Sequence, residues 1–193
     1  SLGRRIYSCA AGDFTGDGYP DLIGLDITGE FPVANPNPWS ELRLIKNLCP
    51  TNHGAAPLFQ VDMTTSYEKF YNHTAPAALT VGDYNGDGKL DFFFMRNGAD
   101  QFAYTNFRAT MYINSGTAFV PAFQTYNVSP NLDFTARFQT AGIYLHWAAN
   151  HAFSVDIDKD GDIDILVISQ DKIFLLRNPG AGNFNLAAWS VCE

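Results

Sequence analysis

The sequence predicts an all-β chain assembled from three similar units, on three observations. An acidic nonapeptide recurs: Asp13-Phe14-Thr15-Gly16-Asp17-Gly18-Tyr19-Pro20-Asp21, then Asp83-Tyr84-Asn85-Gly86-Asp87-Gly88-Lys89-Leu90-Asp91, then Asp156-Ile157-Asp158-Lys159-Asp160-Gly161-Asp162-Ile163-Asp164. The first aspartates stand 70 and 73 residues apart, a near-constant spacing that marks an internal repeat. Short apolar runs flank every copy, and 16 Gly and 10 Pro supply the turns that many short strands require.

In the first unit, residues 5–11 read as a strand entering the loop, and Leu22-Ile23-Gly24-Leu25 as the strand leaving it. Residues 29–40 carry Gly29, Pro32, Pro36 and Pro38 and read as a long turn, because proline cannot sit in a central strand. Leu42 to Asn47 is a third strand and Leu58 to Val61 a fourth. Tyr67 to Tyr71 is assigned one helical turn. The second unit repeats the order with Ala77–Val81, Phe92–Met95, Thr110–Asn114 and Phe119–Phe123. The third has Ala152–Val155, Ile165–Ile168, Lys172–Asn178 after a Gln170-Asp171 turn, and a last short strand. Runs of three or four apolar residues imply strands buried on both faces. Four antiparallel strands per unit of about 70 residues is the plan of a β-propeller blade. The expected organisation is one segment, 1–193, with repeats at about 5–62, 76–128 and 143–190.

Acidic residues at positions 1, 5 and 9 of every loop, and at position 3 of the third, with Gly at 6, gather hard oxygens around one small centre, the chemistry of a calcium loop. The third loop alone has five carboxylates, which repel one another unless a cation lies among them. Position 3 varies as Thr15, Asn85 and Asp158, each with a side-chain oxygen. An EF-hand would need an acidic ligand at position 12. Gly24, Phe94 and Val167 stand there, between strand-like rather than helical flanks, which rules that motif out.

Composition narrows the function classes. Of the 20 acidic residues, 11 lie in the loops, so the net charge of −8 is local. There is no basic patch for nucleic acid and no apolar run of membrane-spanning length. Ser1-Leu2-Gly3 leads almost at once into a strand, as a cut or processed terminus would. Cys9, Cys49 and Cys192 fit no metal pattern. They leave two alternatives open, a Cys9–Cys49 bridge or three unpaired thiols. Carboxylates outside the loops show no catalytic pairing, and His146 and His151 lack the His-Glu-x-x-His spacing. Asn72-His73-Thr74 fits the N-glycosylation pattern. Trp39, in the Pro-rich turn, is the best aromatic candidate for stacking on a sugar or anchoring a protein, with Trp147 and Trp189 assigned to the core.

The three loops, each followed by an apolar strand, resemble the FG-GAP/VCBS repeats of integrin-α-like β-propellers. Asn114-Ser115-Gly116-Thr117-Ala118-Phe119 and Asn178-Pro179-Gly180-Ala181-Gly182-Asn183-Phe184 are similar to that family's Asn-x-Gly-x-Gly-x-Phe turn, of which the first unit keeps Asn47 alone. Gly12-Asp13 and Gly82-Asp83 match its Gly-Asp pair, and Val155-Asp156 departs from it. The resemblance implies up to three Ca2+ ions. It assigns as ligands the side chains of Asp13, Thr15, Asp17 and Asp21 with the Tyr19 carbonyl. In the second loop it assigns Asp83, Asn85, Asp87 and Asp91 with the Lys89 carbonyl, and in the third Asp156, Asp158, Asp160 and Asp164 with the Asp162 carbonyl. Thr15 is the weakest ligand type, so the first loop is expected to bind least tightly.

It further implies that three four-stranded antiparallel blades belong to a larger propeller of about seven blades, the others coming from the same or another chain. The expected role is a secreted, cell-surface or periplasmic adhesion module that binds a protein or carbohydrate through its loops and is not an enzyme. The alternatives are a polysaccharide lyase or hydrolase on a calcium-binding propeller, and a structural spacer or assembly unit.

Overall fold

The computed structural model describes residues 5–28, 39–48, 59–61, 67–71, 78–96, 108–117, 123–124, 133–140, 151–169, 172–180 and 190–192. The fold is all-β, with three antiparallel sheets and one six-residue helix among these residues. The chain forms two compact units, Ser1–His73 with Thr117–Pro121, and Thr74–Gly116 with Ala122–Glu193.

The first unit holds a five-stranded sheet: β1 (Arg5–Gly12), β2 (Asp21–Thr28), β3 (Trp39–Asn47), β4 (Phe59–Val61) and β5 (Glu68–Tyr71). The first acidic loop joins β1 to β2, with Gly12 paired to Asp21 at its base. The centre of the sheet is buried without a break, over residues 23–25 on β2 and 41–45 on β3, as in strands covered on both faces. Strand β3 is nine residues long, and its outer edge takes two partners end to end: β4 on Ile45–Asn47 and β5 on Trp39–Leu42. Two expectations are corrected here. Residues 68–71 form strand rather than a helical turn, because so short a helix is unfavourable on its own while the edge of β3 supplies backbone partners. Trp39 opens β3, paired with Thr28 and Tyr71, instead of lying in the Pro-rich turn.

The second unit holds two four-stranded sheets. One is β6 (Ala78–Gly82), β7 (Asp91–Arg96), β8 (Arg108–Asn114) and β9 (Phe123–Gln124). The other is β10 (His151–Val155), β11 (Asp164–Ser169), β12 (Lys172–Arg177) and β13 (Ser190–Cys192). An acidic loop again joins the first two strands of each, closed by the pairs Gly82–Asp91 and Val155–Asp164. One hydrophobic cluster joins the two sheets: Phe93, Met95 and Met111 from one, Ile165, Val167, Phe174 and Leu176 from the other.

Helix α1 (Thr135–Thr140) was not foreseen. Asp133 caps it by accepting the Thr135 N–H at 2.9 Å, an N-cap interaction. Phe134 and Phe138, four residues apart and both fully buried, bring it onto Phe93 with ring centroids 6.1 and 6.2 Å away.

Burial on both faces holds for β7, where Phe92, Phe93, Phe94 and Met95 are all 0% exposed. It does not hold for β11. Ile165 and Val167 are buried, but Leu166 and Ile168 are only half-buried. Beside them Phe153 is 49% and Ile173 57% exposed, so one face of this sheet is apolar and open. Cys9 is an exposed free thiol. Cys49, Trp147, Trp189, His146, Asn72 and residues 119–122 of the strand expected over Phe119–Phe123 lie outside the described residues.

Candidate metal centre

The three acidic loops have one backbone design. Position 6 is a glycine in the left-handed region in each: Gly18 (φ 87°), Gly88 (φ 83°) and Gly161 (φ 96°). Position 4 is left-handed too, at Gly16 (φ 70°), Gly86 (φ 72°) and Lys159 (φ 63°). Only glycine adopts that region without steric cost, so Lys159 is the strained member. These two reversals aim backbone N–H groups at the first aspartate. Asp13 Oδ2 accepts from Gly18 N at 2.8 Å, Asp83 Oδ2 from Gly88 N at 2.7 Å, and Asp156 Oδ2 from Gly161 N at 3.1 Å. The aspartate at position 5 accepts from the position-7 amide: Asp17 from Tyr19 at 2.9 Å, Asp87 from Lys89 at 2.9 Å, Asp160 from Asp162 at 3.0 Å.

The aspartate at position 9 is anchored differently. Asp21, Asp91 and Asp164 are 0% exposed. One oxygen of each accepts a backbone N–H from the residue that ends or follows the third strand: Asn47 at 2.9 Å, Asn114 at 2.8 Å, Asn178 at 2.8 Å. The other accepts from within the loop, from Thr15 at 3.2 Å, Tyr84 at 3.0 Å and Ile157 at 3.2 Å. These bonds seat a carboxylate under each loop. Burial outweighs them electrostatically: it pushes Asp91 up to about 7 and raises Asp164 above the ordinary carboxylate range, because removal from water disfavours the charged form.

The third loop gathers its acids most closely. Oxygens of Asp156, Asp158 and Asp164 lie within 4.8 Å of one another, a group able to hold a metal ion. Asp160 is outside this trio, and Asp162 turns its carboxylate toward Gly180, where an added Cβ would stand 3.0 Å from Oδ2. Among the described residues no such three-acid group forms in the first or second loop, whose third positions are Thr15 and Asn85.

Two observations bear on whether the loops suit a cation. In the third, the Arg177 guanidinium bonds Asp158, Nε lying 2.7 Å from Oδ2 with Nη2 on the same oxygen. This contact holds Asp158 below the usual carboxylate range, and it puts a positive group on one of the three converging carboxylates. In the first, the Thr15 hydroxyl is buried with no hydrogen-bond partner among the described residues, an oxygen that costs stability unless something binds it. The donor set is all oxygen, the preference of a hard cation.

Sequence reading missed three things here. The asparagines at the end of each third strand clamp the ninth-position aspartates, and their recurrence at one place in every unit was the available signal. The Asn178 amide also donates to the Tyr84 carbonyl at 2.9 Å, joining the third loop to the second. Tyr84 adds a second link, its buried hydroxyl 2.8 Å from Ser154 Oγ, which lies 2.7 Å from Thr80 Oγ1. No described helix is long and apolar enough to cross a membrane. No protein-family model matches the chain, and no curated protein matches it.

Proposed function

We infer that the chain is a calcium-stabilised segment of a β-propeller of FG-GAP/VCBS type, serving as an extracellular binding or adhesion module. The observation that carries the cation reading is the third loop, where three aspartate carboxylates converge within 4.8 Å. The shared left-handed reversals at positions 4 and 6 support the same role for the first two loops.

The ion's work here is structural. Each loop connects two paired strands, and a bound ion removes the like-charge repulsion that otherwise opens the turn. Binding energy therefore becomes folding energy. The open apolar face of the third sheet, with Phe153 and Ile173 exposed, suits packing against a further blade, in keeping with a propeller larger than these three sheets. A protein or glycan partner would meet the connections between strands, where binding residues sit on rigid scaffolds.

Isothermal titration of the chelator-treated chain tests the cation reading. Ca2+ is expected to bind at up to three sites, with Mg2+ much weaker because it demands a tighter octahedral shell. No heat above dilution would overturn it. Glycan binding that requires Ca2+, without turnover of the polysaccharide, supports the adhesion module over a lyase.

A further inference from the structure

Resting on the cation reading, the structure assigns to Arg177 a role beyond it: this residue sets the cation affinity of the third loop by holding a carboxylate that an incoming ion must take. Asp158 is one of the three converging acids, and the Arg177 Nε and Nη2 both lie on its Oδ2. A guanidinium forks onto a carboxylate with fixed geometry and keeps its charge at any working pH. A divalent ion on the same carboxylate is repelled by this charge, whichever of the two oxygens it takes. The side chain is 50% exposed, so it can swing into water when the ion enters.

The register shows that the arrangement belongs to one loop. Leu22 pairs with Ile45, Phe92 with Tyr112 and Ile165 with Leu176. The next residues, Lys46, Ile113 and Arg177, are therefore equivalent. The second loop has an isoleucine there, and the first a lysine, a point charge without the planar fork. Carboxylate count alone makes the third loop the tightest site. Arg177 lowers it toward the others and fills it later in a calcium titration than its charge would dictate.

The test uses the whole 15N-labelled chain in a Ca2+ titration followed by NMR. The amides of Gly18, Gly88 and Gly161 each donate to the first aspartate of their own loop, which gives one reporter per site. In Arg177→Gln the Gly161 midpoint is expected to move to about threefold lower Ca2+, with Gly18 and Gly88 unmoved. Loss of a merely structural residue would weaken the site, so the direction separates the two roles. In Asp158→Asn the third loop binds more weakly, and adding Arg177→Gln brings no further gain, because the competitor has lost its partner. An unchanged or weakened Gly161 midpoint in Arg177→Gln overturns the assignment. If none of the three glycines responds to Ca2+ in the unaltered chain, the cation reading itself fails.

Discussion

The Asn178 side-chain amide donates to the Tyr84 carbonyl at 2.9 Å across 94 residues of sequence, and Asn178 is only 3% exposed. The same amide reaches the Ile163 carbonyl at 3.2 Å, and the Asn178 backbone N–H holds Asp164 at 2.8 Å. One buried residue therefore ties the backbones of two acidic loops together. Asn178→Ala leaves two carbonyls without their donor. It is expected to cost about 2 kcal/mol, read as a lower urea midpoint. A midpoint equal to that of the unaltered chain would show that the amide bears no load.

The buried Asp91 predicts an unusual pH dependence for the chelated chain. Its folded value of about 7 lies above its ordinary value of 3.8, with burial the largest cause. The folded state thus binds more protons than the unfolded one between these values, and stability falls as pH rises from about 4 to 7. A cation bound in the second loop would take the place of the proton, so saturating Ca2+ is expected to flatten this decline. Urea melts at pH 5 and pH 7.5, with chelator and with Ca2+, provide the comparison. Stability that rises with pH in chelator would contradict the assignment.

Lys159 occupies a left-handed position (φ 63°) that Gly16 and Gly86 fill in the other two loops. Lys159→Gly relieves the clash of its Cβ with the backbone and is expected to stabilise the chain by about 1 kcal/mol. A denaturation midpoint that falls instead would mean that the lysine's charge beside the acidic loop outweighs its strain.

The loops and most strands are legible in the sequence because their signals are local. The Asp and Gly spacing dictates a turn, and runs such as Phe92-Phe93-Phe94-Met95 dictate a buried strand. The remainder depends on contacts distant in sequence. Nothing local to Glu68–Tyr71 announces a strand; the unpaired edge of β3 makes it one. Nothing near Arg177 points to Asp158, 19 residues away, because the hairpin between them has first to fold. The open face beside Phe153 and Ile173 escaped for the same reason. An apolar run reads identically whether one of its faces is covered or both.

If cations in the acidic loops hold their hairpins closed, calorimetric melting with and without chelator reveals it. The melting temperature is expected to be roughly 5 °C or more lower in excess chelator than in millimolar Ca2+, and to recover when Ca2+ is returned. Superimposable melting curves under the two conditions would contradict it.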